Sequence, residues 1–171
     1  FATDFRNTPL FIYGYQDKYK RLPGDDNGAV ARFGATTVNG DGNGAIAGNY
    51  NSVTLGDESA RFWQHVRLAG LAAGSTDFSS VANAGFPTNA DGGRIGIQST
   101  TPITNMNGSY FVCSEGIQGK FAKQLDISMD DGNTATGSVQ VMAQGYIGPA
   151  QAAIATASIV EGTTYAVCMA F

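Results

Sequence analysis

The chain has 171 residues, of which 43% are hydrophobic, and this suits a single domain with one buried core. With 10 basic and 14 acidic residues the net charge is −4, and no basic cluster provides the surface that nucleic-acid binding requires. No apolar run approaches the roughly 18 residues of a membrane span, so we expect neither a transmembrane helix nor a signal peptide within these residues.

The first segment, residues 1–22, has the periodicity of an amphipathic helix. Its apolar stripe falls within about 100° of arc and contains Phe1, Phe5, Ile12, Tyr15, Tyr19 and Leu22. Pro9 and Gly14 predict a kink or local loosening, and Pro23 followed by Gly24 predicts the end of the helix.

Leu10 and Tyr13 project away from that stripe and have no partner within the predicted helix. Scattered exposed hydrophobic residues are common in soluble proteins, which is one interpretation. The other is a second apolar surface that packs against further subunits. The sequence leaves both open.

Residues 24–56 are rich in glycine and lack a sustained period, which predicts a long loop with a short turn near residues 30–33. The next segment, DESARFWQHVRLAGLAAG, predicts a second helix. Asp57 and Glu58 lie at its start, where the helix dipole favours negative charge, and Gly70 or Gly74 can end it. The predicted stripe includes Ala60, Trp63, Val66 and Leu71.

The remainder alternates in short segments typical of strands, at residues 94–99, 109–114, 138–144 and 164–170. Between the second and third, GKFAKQLDISM at residues 119–129 predicts a short helix that the DDGN sequence stops. Helices come first and strands last, so we expect an α+β fold in which the long helix covers a four-stranded antiparallel sheet. The single domain then divides into residues 1–22, 23–92 and 93–171.

The stretch NGDGNGAIAG at residues 39–48 invites two chemical interpretations, and both templates fail. A dinucleotide site needs a buried strand before the glycines and a helix after them, which the sequence lacks. A calcium loop numbered from Asp41 needs glycine at its sixth position and glutamate at its twelfth, but Ile46 and Ser52 stand there. Turns closed by asparagine and aspartate side chains, with glycine at positive φ, explain the stretch best.

No cofactor and no defined metal-ligand set is predicted. A looser cation site remains open, built from Asp25, Asp26 or Asp41 in the first loop, or from Asp130 and Asp131 near the second helix–strand junction.

A catalytic function has little support in the sequence. The one histidine, His65, lies in the second helix, and no nucleophile elbow, zinc helix or reactive cysteine signature accompanies it. We therefore expect a protein that is not an enzyme, with no catalytic residues.

Two cysteines, Cys113 and Cys168, lie in no metal-binding pattern. In a lightly charged, glycine-rich chain they favour a disulfide formed outside the cytosol, with two separate buried thiols as the alternative. A secreted, periplasmic or cell-surface location follows from the first interpretation.

Several stretches together resemble the type IV pilins and the type II secretion pseudopilins. They are Tyr15, Asp17, Lys18, Tyr19 and Leu22 to Asp26; NGDGNGAIAG; Glu58, Trp63, His65, Arg67 and Ala69 to Leu71; and Leu125, Asp126, Asp130 to Gly132 and Gly137. The C-terminal third matches by architecture alone. The cysteine pair also encloses a longer segment than the short C-terminal loop of many pilins.

The resemblance implies a structural subunit of a type IV pilus, or alternatively a pseudopilin of a type II secretion system. Its partners would be further pilin subunits, and filaments of this kind serve attachment, motility, DNA uptake or export. It also implies a chain that starts midway along its first helix, with a hydrophobic segment before Phe1 as the inner-membrane anchor and Leu10 and Tyr13 in the subunit contact. The rival class is a free extracellular binding module that uses the loop of residues 24–56.

Overall fold

The computed structural model describes residues 1–171, with helices in the first half of the chain and the sheet in the second. The helices are α1 (Ala2–Tyr19), α2 (Ala29–Phe33), α3 (Glu58–Leu68), α4 (Val81–Ala84) and α5 (Gly119–Met129). The strands are β1 (Ile95–Gln98), β2 (Phe111–Gln118), β3 (Val139–Met142) and β4 (Thr164–Ala170). A short 3₁₀ turn spans Thr156–Ser158. The expected α+β fold is thereby confirmed at this level.

The four strands form one antiparallel sheet in the order β1-β2-β4-β3. The last strand is therefore central and pairs with β2 on one side and β3 on the other. Cys113 lies directly opposite Cys168 in the β2–β4 ladder. Strand β2 runs further than the sequence predicts because a register shift between Ser114 and Ile117 lets it continue to the start of α5.

One face of the sheet carries the larger core. Helices α1, α3 and α5 pack against it, and strand residues alternate inward to meet them. The buried members include Phe5, Ile12 and Tyr15 of α1, Phe62 and Val66 of α3, Ala122 and Leu125 of α5, and Ile95, Ile97, Val112, Val139, Val141 and Val167 of the strands. The predicted stripe of the first helix is thus confirmed as its inward face.

The opposite face carries a second, smaller core that loops cover instead of helices. It contains the two cysteines together with Tyr50, Ile103, Met106, Phe111, Met142, Tyr146, Ala166 and Ala170. Tyr50 reaches this face from the first loop, and its ring stacks on Tyr146 with 5.6 Å between centroids. The sheet is therefore covered on both sides.

Helix α1 differs from its prediction at two points. It ends at Tyr19, before Pro23, because Lys20 takes a left-handed conformation at φ 57° and its N–H bonds to Gln16. Pro9 does not interrupt it. Phe5 and Ile12 are both buried, so packing on either side of Pro9 holds the helix continuous. No helix in the structure is both long enough and apolar enough to cross a membrane.

Helix α3 ends where the sequence expects, at the first of its two candidate glycines. Gly70 has a φ of 75°, and its N–H bonds to the carbonyl of Arg67. The N–H of Leu71 bonds back to Val66, which completes a Schellman ending. The chain then turns sharply, and the Leu71 side chain lies against Gly14 of α1.

Candidate subunit-packing surface and acidic clusters

The outward side of α1 exposes two large hydrophobic side chains. Leu10 is 60% exposed and Tyr13 is 56% exposed, whereas Ile12 and Tyr15 on the inward side are fully buried. Packing of the inward side of α1 on the core therefore does not explain why its outward side carries apolar residues. Leu10 and Tyr13 thus remain mostly exposed in the isolated chain.

Charged residues bound this surface along the helix. Arg6, Leu10, Tyr13 and Asp17 follow one another at three- or four-residue spacing, so they form one row, and all four are exposed. The row is apolar in its middle, positive toward the start of the helix and negative toward its end. We call these four residues the outer row.

Aromatic residues continue from the outer row to the start of strand β2. Tyr13 lies close enough to Tyr110 to contribute to raising the pKa of that phenol, after burial as the main cause and the Asp25 charge as the second. The Tyr110 ring in turn contacts Phe171, with 5.8 Å between centroids. Both of these rings are half-buried.

The glycine-rich stretch lies over a group of carboxylates that we call the loop cluster, consisting of Asp25, Asp41 and Glu58. Asp25 accepts backbone N–H bonds from Gly42, Asn43 and Gly44 at 2.6, 3.0 and 2.8 Å. Glu58, at the start of α3, accepts those of Asp41 and Ala47, both at 2.9 Å. Amide groups of NGDGNGAIAG thus satisfy two buried carboxylates.

The third member, Asp41, is exposed and accepts bonds from the backbone and side-chain amides of Asn43, both at 2.9 Å. Burial raises the pKa of Glu58, while the N–H groups of Ala47 and Asp41 lower it. The three carboxylates lie within 4.8 Å of one another, as a cation site would require. Every oxygen of the three carboxylates has a hydrogen-bond donor, so none of them is buried without a partner.

Asp26 does not join the loop cluster. Its carboxylate is fully buried, accepts the Tyr15 hydroxyl at 2.6 Å and the Gly28 N–H at 2.8 Å, and pairs with the Arg32 guanidinium. It therefore ties α1 to α2. The sequence named Asp26 as a cation ligand in this loop, but the structure uses it in this internal ion pair.

His65 of α3 forms hydrogen bonds to two points of the loop. Its Nδ1 accepts the N–H of Gly24 at 3.0 Å, and its Nε2 donates to the carbonyl of Val38 at 3.1 Å. Burial lowers its pKa to about 4, against smaller opposing effects of the Val38 carbonyl and the Asp26 charge. Both ring nitrogens are thus occupied in closing the loop.

Glycine is required where the loop backbone passes close to Asp25. A Cβ atom on Gly40 would lie 2.3 Å from the Cα of Asp25. At Gly42, φ is 76° and an added Cβ would meet the side chain of Asn27 at 2.6 Å. The glycines of this stretch therefore serve backbone geometry.

A second acidic group, the helix-end cluster, contains Asp126, Asp130 and Asp131, whose ligand atoms also lie within 4.8 Å of one another. The sequence named the last two and missed Asp126 as a site residue. A signal existed, because Asp126 follows the buried Ala122 by four positions and therefore lies on the inward side of α5. Asp126 is fully buried.

The two cysteines form a disulfide, as predicted, with Cα atoms 4.1 Å apart. The bridge joins β2 to β4 across directly paired positions in the smaller core. It closes a sequence separation of 55 residues that includes α5 and β3, and such a closure stabilises a fold by about 4 kcal/mol through loss of unfolded-state entropy.

Comparisons with known protein families, with curated proteins and with solved structures find no match for this chain. Its function must therefore be argued from its own surfaces and side chains.

Proposed function

We propose that this chain is a structural subunit of a type IV pilus or a related filament, which assembles through α1 and displays its sheet and loops outward. The arrangement of a long N-terminal helix on a four-stranded antiparallel sheet supports the proposal, since it is the arrangement that the resemblance implies. The disulfide supports an extracellular setting, because such bonds persist mainly outside the cytosol.

The outer row of α1 is the observation that carries the proposal. Leu10 and Tyr13 stay in water in the isolated chain even though the other side of the same helix is fully packed. Burying each against a neighbouring subunit would contribute about 2 kcal/mol. A filament repeats that contact at every subunit, so a modest apolar surface suffices to hold many copies together.

The partners in this proposal are further copies of the same chain, and a hydrophobic segment ahead of Phe1 anchors each subunit in the inner membrane of a Gram-negative cell before assembly. The globular part then faces the surroundings and supplies attachment or motility. No enzymatic step, cofactor or specific nucleic acid enters this function.

Assembly of the full-length protein in its native cells tests the proposal. We expect Leu10→Asp with Tyr13→Asp to abolish filaments in electron micrographs of sheared surface fractions while the subunit still accumulates. Ile147→Asp is the matched control, because Ile147 is 84% exposed and lies in a loop of the second half of the chain. Normal filaments in the double variant would refute the role of α1.

The coding sequence upstream of Phe1 separates the filament from its rival. A short basic leader followed by about 20 apolar residues supports the filament. An ordinary signal peptide instead supports a free extracellular module. A third outcome would be a wild type without surface filaments and a deletion strain that no longer exports protein. It would assign the subunit to a type II secretion system as a pseudopilin.

A further inference from the structure

The last turn of α5 brings a carboxylate into the protein interior. Ala122, Leu125 and Asp126 are buried residues of this helix, since spacings of three and four positions place them on one side of it. Asp126 has an exposed fraction of 0%. An aspartate at such a position requires a partner, because a buried charge without one is strongly unfavourable.

Neither carboxylate oxygen of Asp126 has a hydrogen-bond donor, although both are buried. The charged groups that act on it are Asp131 and Asp130, both negative. Burial first, and then these two charges, raise the pKa of Asp126 to about 6. The protein thus holds a buried carboxyl group without a hydrogen-bond donor next to two further carboxylates.

The neighbouring carboxylates are fixed in place around it. Asp130 accepts the N–H of Val139 at 2.8 Å, which ties it to the start of β3. Asp131 accepts the N–H of Asn133 at 2.8 Å and the hydroxyl of Thr136 at 2.7 Å. A carboxylate oxygen has two lone-pair sites, so each of these groups can still coordinate an ion.

Gly137 provides the space for this arrangement. Its φ is 75°, and a Cβ atom there would lie 2.0 Å from Oδ2 of Asp130. The loop from 130 to 138 therefore closes tightly over the acidic side chains, and it does so only with glycine at this position.

We propose that the helix-end cluster binds Ca²⁺ through the carboxylates of Asp126, Asp130 and Asp131. Calcium takes oxygen ligands at about 2.3–2.6 Å, so ligands on opposite sides of the ion are about 5 Å apart, and the 4.8 Å span of these atoms fits. The ligand set is all oxygen, which disfavours zinc and copper. The site goes beyond filament assembly and does not depend on it.

Calcium titration of the purified chain by isothermal titration calorimetry tests the proposal, together with thermal unfolding in EDTA or in 10 mM CaCl₂. We expect one site with a dissociation constant of about 0.1–1 mM, the range of extracellular calcium modules. Tm should rise by about 5 °C in calcium. MgCl₂ at the same ionic strength should give less than half of that rise.

Asp126→Asn keeps the shape of the side chain and removes its charge. We expect it to lose the calcium heat and the rise in Tm while unfolding in EDTA at or above the wild-type temperature, which shows that the fold is intact. Asp131→Asn should weaken binding at least tenfold. Asp91→Asn, an exposed carboxylate outside both clusters, should bind like the wild type.

Three results would overturn the assignment. They are the absence of a saturable calcium heat in the wild type, an equal response to magnesium, and an Asp126→Asn variant that keeps its calcium affinity within twofold.

Discussion

The loop cluster and the helix-end cluster each gather three carboxylates whose oxygens lie within 4.8 Å, yet their surroundings are opposite. In the loop cluster, Asp25 alone accepts three backbone N–H groups. In the helix-end cluster, Asp126 accepts none. The distances between carboxylates are therefore alike in the two clusters, and only the helix-end cluster contains a buried carboxylate without a donor.

The origin of the donors explains the difference. A glycine-rich backbone can point several successive N–H groups inward, as residues 42–44 do toward Asp25. Asp126 faces inward from a helix, where backbone N–H groups are engaged along the helix axis and cannot turn toward a side chain. The chain itself therefore supplies no donor to either of its carboxylate oxygens.

The largest effect that we predict comes from Asp25→Asn. The variant replaces an ionised acceptor of three hydrogen bonds by a neutral amide, so the free energy of unfolding in urea should fall by about 4 kcal/mol. Asp126→Asn, measured in EDTA, should change it by less than about 1 kcal/mol or raise it. Equal losses in the two variants would mean that the two clusters do not differ as described.

The free energy of unfolding, measured over a range of pH, tests how much the buried His65 ring contributes by bonding to the loop of residues 24–56. The folded pKa of about 4 is below the unfolded value of 6.5, so the unfolded chain binds the proton more readily between these values. Stability from the neutral ring is complete above pH 6.5 and is lost as the pH falls toward 4, by about 3 kcal/mol in total.

Comparison with His65→Gln isolates this contribution from the carboxylates that titrate in the same range. The variant lacks the titrating ring, so the stability difference between wild type and variant should shrink by about 3 kcal/mol from pH 7.5 to pH 4. A difference that stays constant over that range would show that the ring is not held neutral by burial.

Sequence periodicity predicted the parts of the fold in which side chains alternate between core and solvent. Helix α5 has the bounds expected from its spacing, and each of the four predicted strands overlaps an observed one, although β2 continues to Gln118. Helix α4, Val81–Ala84, was missed because four residues give no measurable period. The 3₁₀ turn was missed for the same reason.

The interior of the loop could not be predicted from the sequence. The N–H groups of residues 42–44 donate to the Asp25 carboxylate across 17 to 19 positions of sequence. Nothing in the local sequence indicates which amide groups a carboxylate will bind. Asp126 is different, because helical spacing alone places it inward. Periodicity cannot show that no hydrogen-bond donor lies near the Asp126 carboxylate. This absence of donors is the reason for proposing a cation site there.

Two glycine variants separate backbone strain from crowding and give the smallest effects. Gly44, whose N–H donates to Asp25 of the loop cluster, has a φ of 89° with no atom near an added Cβ, so Gly44→Ala should cost only the left-handed conformation, about 1 kcal/mol. Gly137→Ala adds the 2.0 Å approach to Asp130 and should cost about 2 kcal/mol in urea unfolding. Because the added methyl displaces a ligand, Gly137→Ala should also weaken calcium binding, while Gly44→Ala should not. Equal calcium affinity in the two variants would show that Asp130 contributes nothing to the site.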